Sequence, residues 1–144
     1  MTEEASIKSQ LIGLWCVVIF TVLVLIGWIG LAHFWLPAAA DLGQAGTKVF
    51  YTVTHQTGML WGNSILIVAC AFLVPASIQF GLCLSDIEGP KPLWSITTAI
   101  SGILIAVIVF FNACMWIGAA YRPDAGGDVV VMLNDLAWFA FLLG

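Results

Sequence analysis

The chain has 144 residues, of which 62% are hydrophobic and only 8% are charged, and its net charge is -4. Globular domains carry about 25% charged residues. A soluble protein this apolar would expose extended hydrophobic patches, so the composition excludes an ordinary soluble domain. The chain also lacks the basic face that nucleic acid requires, so no nucleic-acid partner is expected.

Three long stretches without any charged residue run through the chain, at 9–40, 49–85 and 92–121. Each exceeds the roughly 20 apolar residues that a helix needs to cross a bilayer. A fourth apolar run, 129–144, holds one acid, Asp135. Backbone groups in lipid must be satisfied within the chain, and the alternating pattern of barrel strands is absent. The sequence therefore predicts an all-α integral membrane helical bundle with lipid as its solvent.

Proline and glycine divide these runs into four predicted transmembrane helices within a single domain, 1–144. The residue before Pro37 is restricted to extended conformations, which ends the first helix. The dipeptide Gly89-Pro90 marks a tight turn between the second and third helices. The segment 37–48, which contains two glycines, is predicted as a short loop. The four helices are expected at 11–36, 54–84, 93–121 and 129–144.

The fourth predicted helix is short and stops at Gly144 without a flanking charge. We therefore expect further helices to follow in the natural gene product. Orientation is not decided by charge, because each side of the predicted bundle carries two basic residues and the positive-inside rule gives a tie.

Several polar side chains lie inside the apolar runs. Counted at 1.5 Å per residue from the face that carries the loops 37–48 and 122–128, Asn63, Asn112 and Asp135 lie roughly 10–15 Å deep. A charge at a helix centre costs about 2.5–3.5 kcal/mol, so such groups usually face the bundle interior and pair with one another. The sequence therefore predicts a polar pocket that opens towards that face.

The predicted pocket has an acidic base, a basic rim and aromatic walls. Asp135 lies at the base with Asn134 beside it, and Arg122 lies at the rim together with His33 and His55. A salt bridge to Arg122 is an alternative, structural role for Asp135. Four tryptophans fall in the same layer and would provide apolar walls with a few N–H donors. These are Trp28, Trp61, Trp116 and Trp138.

Structural explanations stay open for the same residues. Asn63 and Asn112 are also suited to hydrogen bonding between helices, and the two histidines are also suited to a membrane boundary. The spacing Gly58-x-x-x-Gly62 is typical of a close approach between helices. No spacing motif indicates a metal site.

Three segments resemble an uncharacterised bacterial family of multi-helix integral membrane proteins with Arg-Pro and Leu-Asn-Asp-x-x-Trp motifs. The segments are Ile87-Glu88-Gly89 with Pro92, Tyr121-Arg122-Pro123, and Met132-Leu133-Asn134-Asp135-Leu136-Ala137-Trp138. Members of that family are six-span proteins, so the resemblance implies a chain that covers part of one and lies in the bacterial inner membrane. The family supplies no biochemical role, although two of the motifs fall on the predicted pocket.

A second resemblance is to styrene oxide isomerases, which are four-helix membrane enzymes that bind haem b through a histidine. It depends on His55 at the start of the second helix, Asn63 after it, Ala71-Phe72-Leu73-Val74-Pro75, and Gly127-Asp128. This resemblance implies haem b as a cofactor and His55 as its ligand.

These observations leave three function hypotheses, and whether the protein is an enzyme stays open among them. The leading one is a membrane protein that binds or passes a small, largely apolar molecule through a tryptophan-walled polar pocket. The second is a haem-binding membrane isomerase. The third is a structural or accessory subunit, with a homo-oligomer or another membrane complex as its assembly.

Overall fold

The computed structural model describes residues 3–32, 42–122 and 124–143, with side chains described for 7–32, 42–122 and 124–140. These ranges are helical apart from short connections and contain no strand, which confirms the predicted all-α fold. Two of the helices continue directly into π-helical segments. The elements are α1 (Glu3–Val24) with the π segment Leu25–Leu31, α2 (Gly43–Val49) with the π segment Phe50–Thr54, α3 (Gln56–Glu88), α4 (Leu93–Tyr121) and α5 (Gly127–Leu143).

Three helices are long and apolar enough to cross a membrane, namely Ile7–Leu31, Gln56–Glu88 and Leu93–Tyr121. Their outward side chains are large and hydrophobic, as lipid contact requires. The protein is therefore an integral membrane helical bundle. The fourth predicted span corresponds to α5, whose 17 residues fall short of the roughly 20 that cross a bilayer.

The prediction of a loop at 37–48 is wrong for residues 43–48. These residues belong to the helix Gly43–Val49, which continues into the π segment Phe50–Thr54. Gly43 begins the helix at a φ of 62°, a left-handed conformation that glycine favours. Gly46, inside this helix, costs about 1 kcal/mol relative to alanine. Packing outweighs this cost here, since α2 lies against α5 and the segment buries Thr47 and Tyr51. Residues 33–41, including the predicted end of the first helix, lie outside the described ranges.

The central helix of the bundle is α3, which packs against α1 on one side and α4 on another. Glycines allow the closest contact with the chain after α1. A Cβ atom added at Gly62 would lie 2.5 Å from the carbonyl oxygen of Gly27, and one at Gly58 would collide with the carbonyl oxygen of Leu31. The Gly58 and Gly62 pair therefore lets the two backbones meet, as small residues do in membrane bundles.

The hydrophobic core lies at the end of the bundle that carries α2 and the α4–α5 turn. Here α5 packs on α4, and α2 packs on α5. The cluster combines one methionine and two aromatic rings with small residues that let the helices approach. Its buried members are Tyr51, Met59, Trp116, Ala119, Ala120, Val130 and Ala137.

Candidate functional site

A cavity of about 160 Å³ lies beside α3, where α1 and α4 flank that helix. Aromatic and aliphatic side chains make up nearly all of its wall, and Asn112 is the one polar residue among them. The lining residues are Phe20, Val24, Trp28, Leu66, Val109, Asn112 and Trp116.

Two local features of the sequence place the tryptophans in this wall. Trp28 lies in the π segment Leu25–Leu31, whose wider turn changes the faces on which successive side chains lie. Asn112 and Trp116 are four residues apart on α4, so they lie on the same face of that helix. The structure thus brings Trp28, Asn112 and Trp116 together from the set of residues that the sequence placed in a pocket.

Within the described residues, three buried polar atoms have no hydrogen-bond partner: Asn63 Oδ1, Asn112 Oδ1 and Trp116 Nε1. Asn63 does donate from Nδ2 to the Met59 carbonyl at 2.8 Å, within its own helix. Leaving a buried polar atom unsatisfied costs about 1–3 kcal/mol. Asn63 and Asn112 are thus both interior residues, and only Asn112 lines the cavity.

A chain of hydrogen bonds joins the core to the outer side of α5. Tyr51 Oη donates to Asn134 Oδ1 at 2.7 Å, and Asn134 Nδ2 donates to Asp135 Oδ1 at 3.4 Å. Tyr51 and Asn134 are both buried, so their bond holds the π segment after α2 against α5. Tyr51 was not predicted as a site residue. The one available signal was that a tyrosine within an uncharged run needs a partner for its hydroxyl when buried.

The predicted position of Asp135 at the base of the pocket is wrong, because its side chain is exposed on the outer side of α5. Neighbouring residues on a helix point about 100° apart, and here Asn134 is buried while Asp135 is exposed. The neutral amide takes the interior position, where burial is less costly than for a carboxylate. Arg122 is also exposed, and among the described side chains no ion pair joins it to Asp135. The alternative prediction of a direct salt bridge between them is therefore wrong as well.

Two of the four predicted wall tryptophans lie elsewhere. Trp61 is 65% exposed and points outward from α3, which contradicts its predicted place in the wall. Trp138 is half-buried on α5 and is not among the residues that line the cavity. His33, predicted at the rim, lies outside the described residues.

His55 is half-buried at the junction between the π segment Phe50–Thr54 and α3. Its ring centroid lies 4.5 Å from that of Phe50. The cleft beside it has a volume of about 190 Å³, whereas cavities for drug-sized ligands and cofactors span roughly 300–1,000 Å³. The described residues around His55 therefore do not fit a haem.

No family model, curated protein or solved structure matches this chain.

Proposed function

We propose that this protein binds or passes a small, largely apolar molecule through the cavity between α1, α3 and α4. The supporting observation is the size of that cavity together with its lining. An apolar cavity of about 150 Å³ in a protein stays dry and binds benzene or xenon. The cavity beside α3 is similar in volume, at about 160 Å³, and has aromatic walls, but it is half open to the surface of the bundle. The ligand is therefore of single-ring size.

The lining also sets the chemistry of the ligand. Transfer of an unpaired charge into such a site is very costly, and no charged residue lines the cavity, which favours a neutral molecule. Trp28 and Trp116 offer ring edges and faces, and aromatic pairs contribute about 0.5–1.5 kcal/mol beyond area burial. Asn112 supplies the one polar side chain that could orient a ligand.

The test uses fluorobenzene as the probe and the purified protein in lipid nanodiscs, with binding followed by fluorine NMR. We expect saturable binding to the wild-type protein. A Val109→Phe variant, which fills the cavity, should bind at least tenfold more weakly. A Trp61→Phe variant should bind like the wild type, because that tryptophan points outward. Equal binding by a folded Val109→Phe protein would contradict the proposal.

A structural or accessory role in a membrane complex is the second candidate function. It is favoured by Asp135, an acid that faces outward from an apolar helix. Such residues commonly pair with a polar partner in membranes.

We further infer that the membrane is the bacterial inner membrane and that the chain is related to the six-span bacterial family. The support is the resemblance in the Arg-Pro and Leu-Asn-Asp-x-x-Trp motifs, together with spans that are helices rather than barrel strands. Separation of inner and outer membranes on a density gradient, followed by immunodetection, tests the location. Recovery in the outer-membrane fraction would contradict it.

A further inference from the structure

We propose that the outer side of α5 is a docking surface for a transmembrane helix of a different polypeptide, one that carries an arginine or lysine at the depth of Asp135. We call this surface the acidic α5 face. It consists of Asp128, Met132, Asp135, Leu136 and Phe139.

The acidic α5 face is a single stripe on the helix surface. Its members follow Asp128 at intervals of 4, 7, 8 and 11 residues, which is the spacing of one helical face. All five side chains are exposed, including Phe139 at 63%. The other side of α5 packs on α4 and α2 and buries Val130, Asn134 and Ala137. One side of α5 is thus used in the fold and the opposite side is not.

The face also lines a shallow, open cleft. Its residues, with Val131 and with Gln44 from α2, line a cleft of about 500 Å³. The cleft is open and mainly apolar, with the carboxylates of Asp128 and Asp135 as its acidic groups. A helix seated there would meet both hydrophobic side chains and acids.

Charge determines the kind of partner. Asp135 lies seven residues beyond Asp128, or roughly 10 Å further along α5. Because α5 packs alongside the candidate spanning helix α4, we infer that the acid lies at membrane depth. Its one hydrogen bond joins it to Asn134 at 3.4 Å, and within the described ranges no cation pairs with it. Intramembrane carboxylates pair with cations or donors rather than face lipid, so the missing complement is a basic side chain.

Residues 1–144 of a second copy do not supply that complement. All four basic residues lie at the ends of the uncharged runs rather than inside them. They are Lys8, Lys48, Lys91 and Arg122. A two-fold dimer through this face would also place like surfaces together and bring one Asp135 near the other. Repulsion between these carboxylates favours a partner of different sequence.

The experiment measures association of the protein, in nanodiscs and labelled with a donor dye, with synthetic acceptor-labelled transmembrane helices. One probe is a leucine-alanine helix with a single arginine one third of the way along, and the other has leucine at that position. Polar pairs between membrane helices contribute about 1–2 kcal/mol in model peptides, which corresponds to roughly five- to thirtyfold in affinity. We expect the arginine helix to bind more tightly by a factor in that range.

The matched variants are Asp135→Asn and Asp86→Asn. Both remove one negative charge, but Asp86 is exposed at the end of α3 that leads into the connection to α4. Only Asp135→Asn should abolish the preference for arginine, while its circular dichroism and its fluorobenzene binding stay unchanged. Equal binding of both helices to the wild type, or a preference that survives Asp135→Asn, would overturn the proposal. A wild-type dimer that Asp135→Asn disrupts would also overturn it, because a second copy would then occupy the face.

Discussion

Three buried asparagines on three helices have different surroundings, and this determines what each contributes. Asn134 accepts a hydrogen bond from the Tyr51 hydroxyl, and Asn63 donates to a carbonyl of its own helix. Asn112 lines an apolar cavity, and its Oδ1 has no hydrogen-bond partner among the described residues. Burial is nearly the same for all three, so the difference lies in hydrogen bonding.

We therefore predict opposite effects of leucine at two equally buried positions, since Asn112 and Asn134 are each 3% exposed. Asn112→Leu removes an unsatisfied acceptor, so stability should stay the same or rise. Asn134→Leu removes the acceptor of the buried Tyr51 hydroxyl and should cost about 1–3 kcal/mol. Equilibrium unfolding in mixed micelles, with an increasing fraction of denaturing detergent, measures the free energy of unfolding of both variants. A loss at Asn112 as large as that at Asn134 would contradict this interpretation.

Sequence reasoning placed Asn63 and Asn112 in the interior because polar groups avoid lipid. Asp135 was predicted to lie in the interior for the same reason, and that prediction is wrong, because its side chain is exposed. Depth alone does not distinguish the adjacent polar residues Asn134 and Asp135, and in the structure only Asn134 faces inward. Depth along a helix follows from residue counting, but the side of the helix does not. Trp61 is a second example: residue counting gave its depth, but its side chain points outward.

Whole helices meet through glycine where α3 packs on the π segment after α1. We predict that Gly62→Ala destabilises the protein by about 1–3 kcal/mol, because the new methyl group would lie 2.5 Å from the Gly27 carbonyl oxygen and 2.9 Å from Ala32 Cβ. The matched control is Gly30→Ala in the π segment Leu25–Leu31, against which α3 packs. A Cβ atom added at Gly30 would lie 3.7 Å from its nearest neighbour, the Leu25 carbonyl oxygen. That change should be neutral or slightly stabilising, as alanine is relative to glycine in helices.

Detergent unfolding compares these two variants directly. The close-contact explanation requires a clear difference between them. Equal stabilities would mean that the backbones of α3 and the π segment can separate at little cost.

The start of α4 is held by Glu88, the last residue of α3. Its carboxylate accepts hydrogen bonds from the backbone N–H groups of Trp94 and Ser95, at 2.8 and 2.9 Å, and from the Ser95 hydroxyl. The first N–H groups of a helix have no partner within the helix, and a carboxylate there satisfies them.

We predict that Glu88→Ala lowers the thermal stability of the protein in detergent, and that Glu88→Gln lowers it less because the amide keeps one acceptor. Asp86→Asn is the control, since this acid is exposed two residues earlier. Thermal unfolding followed by circular dichroism measures all three variants. An Asp86→Asn protein as unstable as Glu88→Ala would indicate a general charge effect rather than a cap.

The helices differ in how well the sequence predicts them. The bounds of α4, Leu93–Tyr121, agree with the predicted 93–121, because polar or proline residues stand directly outside both ends. The helix Gly43–Val49 and both π segments were not predicted. The helix Gly43–Val49 contains two glycines, and the π segments have an ordinary apolar pattern. The conformation of all three depends on packing against other helices.

In the molecule as a whole, the cavity and the acidic α5 face are separate features. The cavity is lined by α1, α3 and α4, and the docking surface belongs to α5 and α2. No residue lines both. A ligand function and an assembly function are therefore compatible, and variants in one region should leave the other unchanged.

The alternation of three spanning helices also fixes which connections share a side of the membrane. The α3–α4 connection must lie on one side, and the α4–α5 turn on the other. We predict that Lys91→Cys and Asp124→Cys react with a membrane-impermeant maleimide from opposite sides, in sealed vesicles of known orientation. Wild-type protein gives the background, because its four cysteines lie within helices α1, α3 and α4. Labelling of both new cysteines from the same side only would show that α4 does not cross the bilayer, and would remove the basis for placing Asp135 at membrane depth.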